Sequence, residues 1–528
     1  VDNGDLEKNC LEINNSRALY IANYIEEKGI RYIKGKKKLN ELKSKFKNIN
    51  KLSFEVPKDL KANLREYQKF GYNWLKTLEH LGLGGILGDE MGLGKTLQAI
   101  TFILSNKGKK TLVVAPTSLI YNWKEEFNKF APDLVVEVLN EGKDKREEAL
   151  RDIESKDVII TTYNLLKRDL EEYKKINFDY CFIDEAQAIK NPDSQNSEAV
   201  KEVNSEYKFA LTGTPMENSL MELWSIFDFV MPGYLYDRKR FTVRYYKKLN
   251  ESEEVLSEIH SLIKPFILRR KKKDVIKELP DKIEKMHLVD LGEDQKKVYS
   301  IYANNALSIM EKKQDAEEFN KSKIEILSYI TKLRQLALDP AVTINDYMGE
   351  SAKIEALVEI LNQGIEEGHK ILVFSQFTSV LKNISSRLKE EKISFSYLDG
   401  SVSSKKRINM VNEFNEGENS VFLISLKAGG TGLNLTSADI VIHFDPWWNP
   451  AVENQATDRA HRMGQKNVVE VIKLIAKGTI EEKVVALQEE KKELISKIIE
   501  EGELGAGSTF NTLSEEELMD LFKVDYLG

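Results

Sequence analysis

Gly88 to Thr96 reads GDEMGLGKT and Ile183 to Gln187 reads IDEAQ, and together these segments carry the residue types needed on the two sides of an ATP-hydrolysing site. The first lies between an apolar piece, Gly84 to Leu87, and the helix-like run LQAITFIL, so a glycine-rich turn leads from strand into helix. In such a turn the backbone N–H groups of Gly92 to Lys95, Gly94 among them, point at phosphates with the helix N-terminus behind them. Lys95 would add its charge to the outer phosphates, and the Thr96 hydroxyl would ligate Mg²⁺. The strict G-x-x-x-x-G-K-[ST] pattern fails once, because Asp89 stands where its first glycine belongs, so a plain glycine-rich turn is the alternative for this segment alone.

The second segment narrows the choice. Phe178 to Ile183 is a mostly apolar run with aromatic and branched residues, as in a buried parallel strand, and it delivers Asp184 and Glu185 to the strand's carboxyl end. Ligands of α/β sheets bind there. Asp184 would hold Mg²⁺ through a water, and Glu185 would orient and deprotonate the attacking water. An isolated acidic pair after a strand is more simply a helix cap; Lys95 and Thr96 upstream favour the catalytic reading.

Strand-like runs separated by helix-like stretches occur in two sets. The first holds Thr111 to Ala115, Val158 to Thr161, Phe178 to Ile183 and Phe209 to Leu211; the second holds Ile371 to Phe374, Phe395 to Leu398, Val421 to Ile424, Ile440 to Phe444 and Val469 to Leu474. Alternating strands and helices imply parallel sheets with right-handed crossovers, hence an α/β protein of two lobes. Lobe 1 is expected over 59–231 and lobe 2 over 351–478. Between them, from Pro232 to about Ser351, strand signals nearly vanish and the chain turns helical, aromatic and basic, which suggests helical protrusions and a linker. Residues 1–58 are lysine-rich, helical in pattern, and look like the end of a preceding domain; residues 479–528 form a last helix and tail.

The chain has 528 residues, 41% hydrophobic and 31% charged, enough for two or more domains with their own cores. Its two cysteines, Cys10 and Cys181, exclude a disulfide framework or a cysteine-rich zinc site and fit a reducing compartment. No run is apolar enough to cross a bilayer, no membrane partner is expected, and no signal-peptide pattern opens the chain. The start on Val1 points to a fragment of something longer. A net charge of −7 argues against nucleic acid, but the charge is segregated: Arg269 to Lys273 reads RRKKK, and Lys34 to Lys47 is dense in lysine. Either run could meet a phosphate backbone or be a solvated face.

Asn454 to Gln465 reads NQATDRAHRMGQ. Pro450 can open a helix, which would put Arg459 and Arg462 on one face, with Asp458 four residues before Arg462 as a possible partner. The arginines could then act as fingers offered by lobe 2 to ATP on lobe 1, so that lobe closure switches hydrolysis on. A surface helix with ordinary ion pairs is the alternative.

Taken in order, LREYQ (Leu64 to Gln68), DEMGLGKT, APTSLIYNW (Ala115 to Trp123), IDEAQAIKN, LTGTPMEN (Leu211 to Asn218), SLKAGGTGLNLT (Ser425 to Thr436), DPWWNP (Asp445 to Pro450) and QATDRAHRMGQ resemble the motifs of superfamily-two helicases. DPWWNP with QATDRAHRMGQ is similar to the Swi/Snf branch, the motors of chromatin remodellers and DNA translocases. The resemblance runs from about residue 59 to 490. Asp89 is usual in that family; Gln187 departs from its usual His, at a position coupling the ATP site to the Leu211–Asn218 segment.

The resemblance implies two RecA-like lobes and a set of positions. Gln68 would read the adenine edge, Gly92, Gly94, Lys95, Thr96 and Gly432 would bind ATP, and Arg459 and Arg462 would complete the site. Thr117, Ser118, Gln376, Lys427, Gly429 and Gly430 resemble positions that touch DNA phosphates, which suits a motor that grips any sequence. Trp447 and Trp448 read as core or lid packing rather than a base-stacking platform, and the resemblance implies a role in coupling DNA to hydrolysis; both hold if alternate sides face core and cleft. Thr479 to Ile499 resembles the family's brace helix, packing back across the lobes. The acidic Glu515 to Asp520 could screen a DNA surface or simply be solvated. The implied protein uses ATP and Mg²⁺ to move along double-stranded DNA and displace a DNA-bound protein such as a nucleosome or RNA polymerase. Its core is expected to be monomeric, cytoplasmic or nucleoid-associated in a bacterium and nuclear in a eukaryote. Alternatives are a RapA-type polymerase recycling factor, a single-stranded RNA or DNA helicase, and a non-hydrolysing DNA-binding scaffold.

Overall fold

The computed structural model describes residues 53–214, 220–248, 253–276, 278–311, 316–429, 433–448, 450–496 and 521–523, with short pieces before residue 53. Among those pieces Gly4–Asp5 pairs antiparallel with Cys10–Leu11, a strand contact in a region expected to be helical. The lysine run 34–47, apart from Lys37, lies outside the described residues. The chain divides into two compact units after Val275, inside the stretch expected to hold protrusions and linker.

The first unit is built on seven parallel strands: β1 (Gly85–Leu87), β2 (Thr111–Ala115), β3 (Val136–Val138), β4 (Val158–Thr162), β5 (Phe178–Asp184), β6 (Ser205–Leu211) and β7 (Ile267–Leu268), in the order β3-β4-β2-β5-β6-β1-β7. β2 and β4 are buried at every position, which is why their sequences are continuous apolar or Thr runs without alternation. The helix Lys95–Ser105 is pinned on this sheet by Phe102, whose ring stands edge-on to Tyr180, Phe182 and Phe209 at centroid distances of 5.1, 5.6 and 5.3 Å. Phe182 and Phe209 stack on each other at 5.1 Å. Each precedes the carboxyl end of its strand by two residues, so this aromatic contact sets the helix Lys95–Ser105 against both ends.

The second unit has six parallel strands: β8 (Lys282–Val289), β9 (Ile371–Ser375), β10 (Phe395–Leu398), β11 (Val421–Ser425), β12 (Ile440–His443) and β13 (Val469–Ala476), ordered β8-β13-β12-β9-β11-β10. Alternate residues serve two cores: Ile371, Val373, Val421 and Leu423 face the helices Ala352–Glu366 and Thr378–Glu390, while Leu372, Phe374, Phe422 and Ile424 face Leu435, Ala456 and Ala460. A third cluster joins Tyr299, Ile330 and Leu333 to Ile480 and Val484 of the helix Ile480–Ser496 and to Leu521 and Phe522. The brace-like helix is thus packed on the helices Glu293–Glu311 and Ala316–Leu338 of its own unit. Leu521 and Phe522 of the tail are buried in this cluster; the acidic Glu515 to Asp520 lies outside the described residues.

Two strands correct the expectation that strand signals vanish between the sheets. β8 is an edge strand with seven of its eight residues exposed, and β7 is a two-residue edge strand. Neither buries a face, so neither needs the apolar run by which strands are recognised.

β12 ends on His443, fully buried, with Nε2 2.9 Å from Thr457 Oγ1. Burial pushes its imidazole down to about 4 from an ordinary 6.5. The unfolded chain therefore takes up a proton as pH falls below 6.5 while the folded lobe refuses it, and stability is lost between pH 6.5 and 4. Asp445, pushed up to about 6 by burial, acts in the opposite sense between pH 6 and 3.8 and masks part of the loss. The comparison of His443→Gln with the parent isolates the imidazole: its stability deficit at pH 7.5 should shrink by about 2 kcal/mol at pH 5 in urea unfolding. A deficit independent of pH would refute the linkage.

Candidate active site

The loop after β1 carries two left-handed glycines, Gly92 (φ 84°) and Gly94 (φ 76°), the latter capping the helix Lys95–Ser105. A side chain at either would be strained, so the glycines are required by the turn that aims N–H groups outward. Lys95 is half-buried and its Nζ donates to the Asp89 carbonyl at 2.7 Å; Thr96 follows in the first helical turn. Gln68 is buried, accepting from Arg65 N at 3.0 Å and donating to Leu93 O at 3.3 Å, so its amide already touches the phosphate loop.

Asp89, the residue that broke the strict pattern, is fully buried. Arg270 forks onto it, Nε to Oδ1 at 2.8 Å and Nη2 to Oδ2, and Gln98 Nε2 reaches Oδ2 at 3.3 Å. This corrects the reading of the run Arg269 to Lys273 as phosphate-binding or solvated for two of its members, Arg270 and Lys272. Arg270 belongs to the phosphate loop, and Lys272, also buried, donates its backbone N–H to Glu90 Oε2 at 2.7 Å. A charged aspartate inside a glycine loop needs a partner; that need is the only trace of Arg270 in the sequence.

On the acidic side, Asp184 ends β5 with its carboxylate nearly buried. Its Oδ2 accepts from Trp123 Nε1 at 2.8 Å and its Oδ1 from Glu185 N at 2.8 Å, while Tyr163 Oη donates to the Asp184 carbonyl at 2.7 Å. Trp123 and Tyr163 were not anticipated as site residues. Trp123 closes the APTSLIYNW segment and was legible as a motif member; nothing local marks Tyr163. Burial, then the Asp184 and Glu185 charges, push the Tyr163 phenol well up, so it remains a donor. Glu185 sits at φ 49°, ψ 59°, a left-handed conformation that a non-glycine residue holds at a cost of about 1–2 kcal/mol.

From Glu185 a chain of side chains leads onward. Gln187 Nε2 donates to Glu185 Oε2 at 2.7 Å, and Gln187 Oε1 accepts from Thr212 Oγ1 at 3.0 Å, which in turn accepts from Thr214 N at 3.0 Å. An amide can donate at one end and accept at the other without a tautomer choice, so glutamine fills the usual histidine position. Next to Thr212, a Cβ added to Gly213 would lie 3.1 Å from Met91 Cγ and 3.9 Å from Lys95 Nζ. The turn after β6 therefore abuts the phosphate loop and joins Lys95 to Glu185 in one site. Residues 215–219 of that segment lie outside the described residues.

The donor set fits Mg²⁺. Asp184 supplies one carboxylate, held in place by Trp123 and the Glu185 N–H, and Thr96 offers a hydroxyl; among the described residues no cluster of three or more His, Cys, Asp or Glu forms an all-protein cage. Mg²⁺ is usually held by one or two such oxygens with phosphates and water.

The expected nucleic-acid positions lie at carboxyl ends of parallel strands. Thr117, exposed, and Ser118 follow β2 in the first unit. In the second, Gln376 follows β9, its N–H donating to Asp445 Oδ1 at 3.1 Å, and Lys427 and Gly429 lie in the turn of helix Leu426–Gly429 after β11. Gly430 and Gly432 lie outside the described residues. Trp447 and Trp448 part to different cores, Trp447 to that under Phe374 and Trp448 to that of the brace-like helix, with the buried Arg334 guanidinium 5.9 and 5.6 Å from their rings.

Arg459 and Arg462 correct a local expectation. The helix opened by Pro450 stops at Thr457, and both arginines sit in the turn beyond it. That turn is held by tertiary bonds: Leu435 N to Arg459 O at 3.0 Å, His461 Nε2 at 2.9 Å from Pro280 O, and Gln465 Nε2 to Ala438 O at 2.7 Å. Gly464, at φ 101°, lets the chain reverse. Arg459 is buried, and Arg462 Nη1 approaches Leu433 O at 3.5 Å.

A family model described as an SNF2-related domain matches residues 67–342, across the phosphate loop, the acidic pair and the first unit's other motifs. The chain belongs to the SNF2-related family. A helicase conserved C-terminal domain matches residues 352–464, and a bacterial SNF2 helicase associated domain matches residues 1–57. An uncharacterized ATP-dependent helicase of Mycoplasma pneumoniae is 43% identical over 92% of this chain and 46% of its own length. The putative ATP-dependent helicase/translocase YwqA of Bacillus subtilis is 39% identical over 89% of this chain and 52% of its own. The TATA-binding protein-associated factor MOT1 of Saccharomyces cerevisiae is 33% identical over 89% and 29%. Among solved structures, the SWI2/SNF2 ATPase core of Sulfolobus solfataricus in complex with dsDNA is 38% identical, covering 89% of this chain and 99% of that one, with a TM-score of 0.44. The chain spans about half the length of the bacterial relatives it matches.

Proposed function

We propose that this chain is the motor of an ATP-dependent translocase that moves along double-stranded DNA and displaces a protein bound there. The observation that carries the reading is the connected path from Lys95 through Gly213 and Thr212 to Gln187 and Glu185, which puts a phosphate-binding lysine and a candidate general base in one unit. SNF2-family membership supports the same reading, as do the ATP-dependent helicase names of the bacterial relatives. MOT1, named for its association with the TATA-binding protein, supports a DNA-bound protein as cargo.

In this reading, N–H groups at Gly92 to Lys95 and the Lys95 ammonium hold the β- and γ-phosphates. Thr96 and Asp184 would hold Mg²⁺, which neutralises phosphate charge when bound. Trp123 and the Glu185 N–H fix the Asp184 carboxylate, and Gln187 orients Glu185, whose carboxylate takes the proton of a water attacking the γ-phosphorus as ADP departs. Arg459 and Arg462 stabilise the charge that develops on the transferred group. Thr117, Ser118, Gln376, Lys427, Gly429 and Gly430 grip backbone phosphates, and Trp448 transmits that grip through the core it packs in. Among the described residues no helix is long and apolar enough to cross a membrane, and the bacterial relatives favour a nucleoid setting.

Side-by-side ATPase rates with duplex DNA, single-stranded DNA, RNA and nucleosomes test the proposal. Duplex should stimulate best, without regard to sequence, increasingly with length, and less as salt rises. Displacement of a third strand from a triplex, without separation of the duplex, should report movement. Equal stimulation by single strands or RNA together with no triplex displacement would reject the translocase.

A further inference from the structure

The chain leaves the first unit along the phosphate loop. β7 is an edge strand and, among the described residues, pairs only with β1, Ile267 against Ile86 and Leu268 against Leu87. The pairing continues past both strands: Gly88 N donates to Leu268 O at 2.7 Å, Glu90 N to Arg270 O at 3.0 Å, and Lys272 N to Glu90 Oε2 at 2.7 Å. Residues 267–272 therefore form one wall of the loop, three residues before the boundary at Val275 where the chain passes into the second unit.

Arg270 turns this wall into a clamp. Besides the fork on Asp89, its Nη2 donates to Gln98 Oε1 at 2.9 Å and its Nη1 to Tyr67 O, and the guanidinium lies over the Tyr67 and Phe70 rings at 5.4 and 5.9 Å. Gln98 in turn donates to Gly94 O at 3.2 Å, at the cap of the phosphate-loop helix. One guanidinium thus ties together the start of the loop, the helix after it and the helix that carries Gln68. The clamp has been given room by a missing side chain: a Cβ at Gly71 would lie 1.8 Å from Gln98 Oε1 and 2.8 Å from Arg270 Nη2. Gly71 lies within the helix Glu66–His80, where alanine would otherwise be favoured by about 1 kcal/mol.

We propose that Arg270 is a positioning residue of the nucleotide site, through which the phosphate loop and the chain passing to the second unit are ordered as one element. Nucleotide bound at the loop then favours the ordered form of residues 268–272, and ordering of that segment raises nucleotide affinity by the same factor. The proposal rests on the reading of the loop as an ATP site.

The test uses the full chain with Arg270→Lys and Gly71→Ala. Lysine keeps the charge and cannot fork onto both Asp89 oxygens; alanine at Gly71 favours its helix and drives a methyl between Gln98 and Arg270. Affinity for a fluorescent ADP is measured with Mg²⁺, alongside urea unfolding without nucleotide, and hydrogen exchange is followed at Gly88, Glu90 and Lys272. Both variants should remain folded and bind about tenfold more weakly. In the parent, ADP should slow exchange at all three amides together; in the variants the slowing at Lys272 should be lost. Folded variants with parental affinity, or parental ADP protection confined to Gly88 and Glu90, would overturn the proposal. A parent that binds no nucleotide would instead remove the ATP reading beneath it.

Discussion

Glu185→Gln should retain ATP and lose its turnover, whereas Lys95→Ala should lose both. Glutamine at 185 can still accept from Gln187 and preserves the Glu185–Gln187–Thr212 geometry, while removing the group that takes the water's proton. The expected loss in kcat is on the order of 10²- to 10⁴-fold, with affinity for ATP nearly unchanged. Lys95 acts earlier: its ammonium meets the phosphates in the ground state as well as in the transition state, so its loss weakens nucleotide binding itself. Single-turnover hydrolysis and nucleotide titration separate the two effects. An equal loss of ATP affinity in both variants would count against this division of roles.

Arg459→Ala and Arg462→Ala should each lower DNA-stimulated turnover by about 10³- to 10⁵-fold, roughly 4 to 7 kcal/mol, if the arginines serve as fingers. Duplex binding should change little, because phosphate grip is assigned elsewhere. Lysine should restore little of the rate, since it lacks the planar fork. The backbone bonds that hold the turn, Leu435 N to Arg459 O among them, survive side-chain removal, so folding is expected to persist and is checked by circular dichroism. Unaltered turnover in both alanine variants would defeat the finger assignment and leave these arginines as structural members of the turn.

Much of this was legible along the chain, for local reasons. Thr111–Ala115 is a strand over the residues its sequence predicts, because burial on both faces of a parallel sheet demands a nearly continuous apolar run. The phosphate loop was legible because a strand, two left-handed glycines, a lysine and a helix are consecutive in sequence. The Asp184–Glu185 pair follows from the strand before it. What could not be read joins residues that are distant in the chain. Arg270 is 181 positions from Asp89 and Trp123 is 61 from Asp184, and neither partner carries a mark of the other. β8 escaped because hydrogen bonds to β13 alone create it, and an exposed edge imposes no apolar pattern. Pro450 announced the start of the helix before Arg459, but its end at Thr457 was decided by bonds to Leu435, Ala438 and Pro280. Sequence by itself determined the fold class and the SNF2-related family and nominated the residues proposed for the chemistry, since each depends on short-range pattern. Only the tertiary structure decided which charges are internal, because a charge's partner, and not its neighbours in sequence, determines whether it meets solvent, substrate or protein.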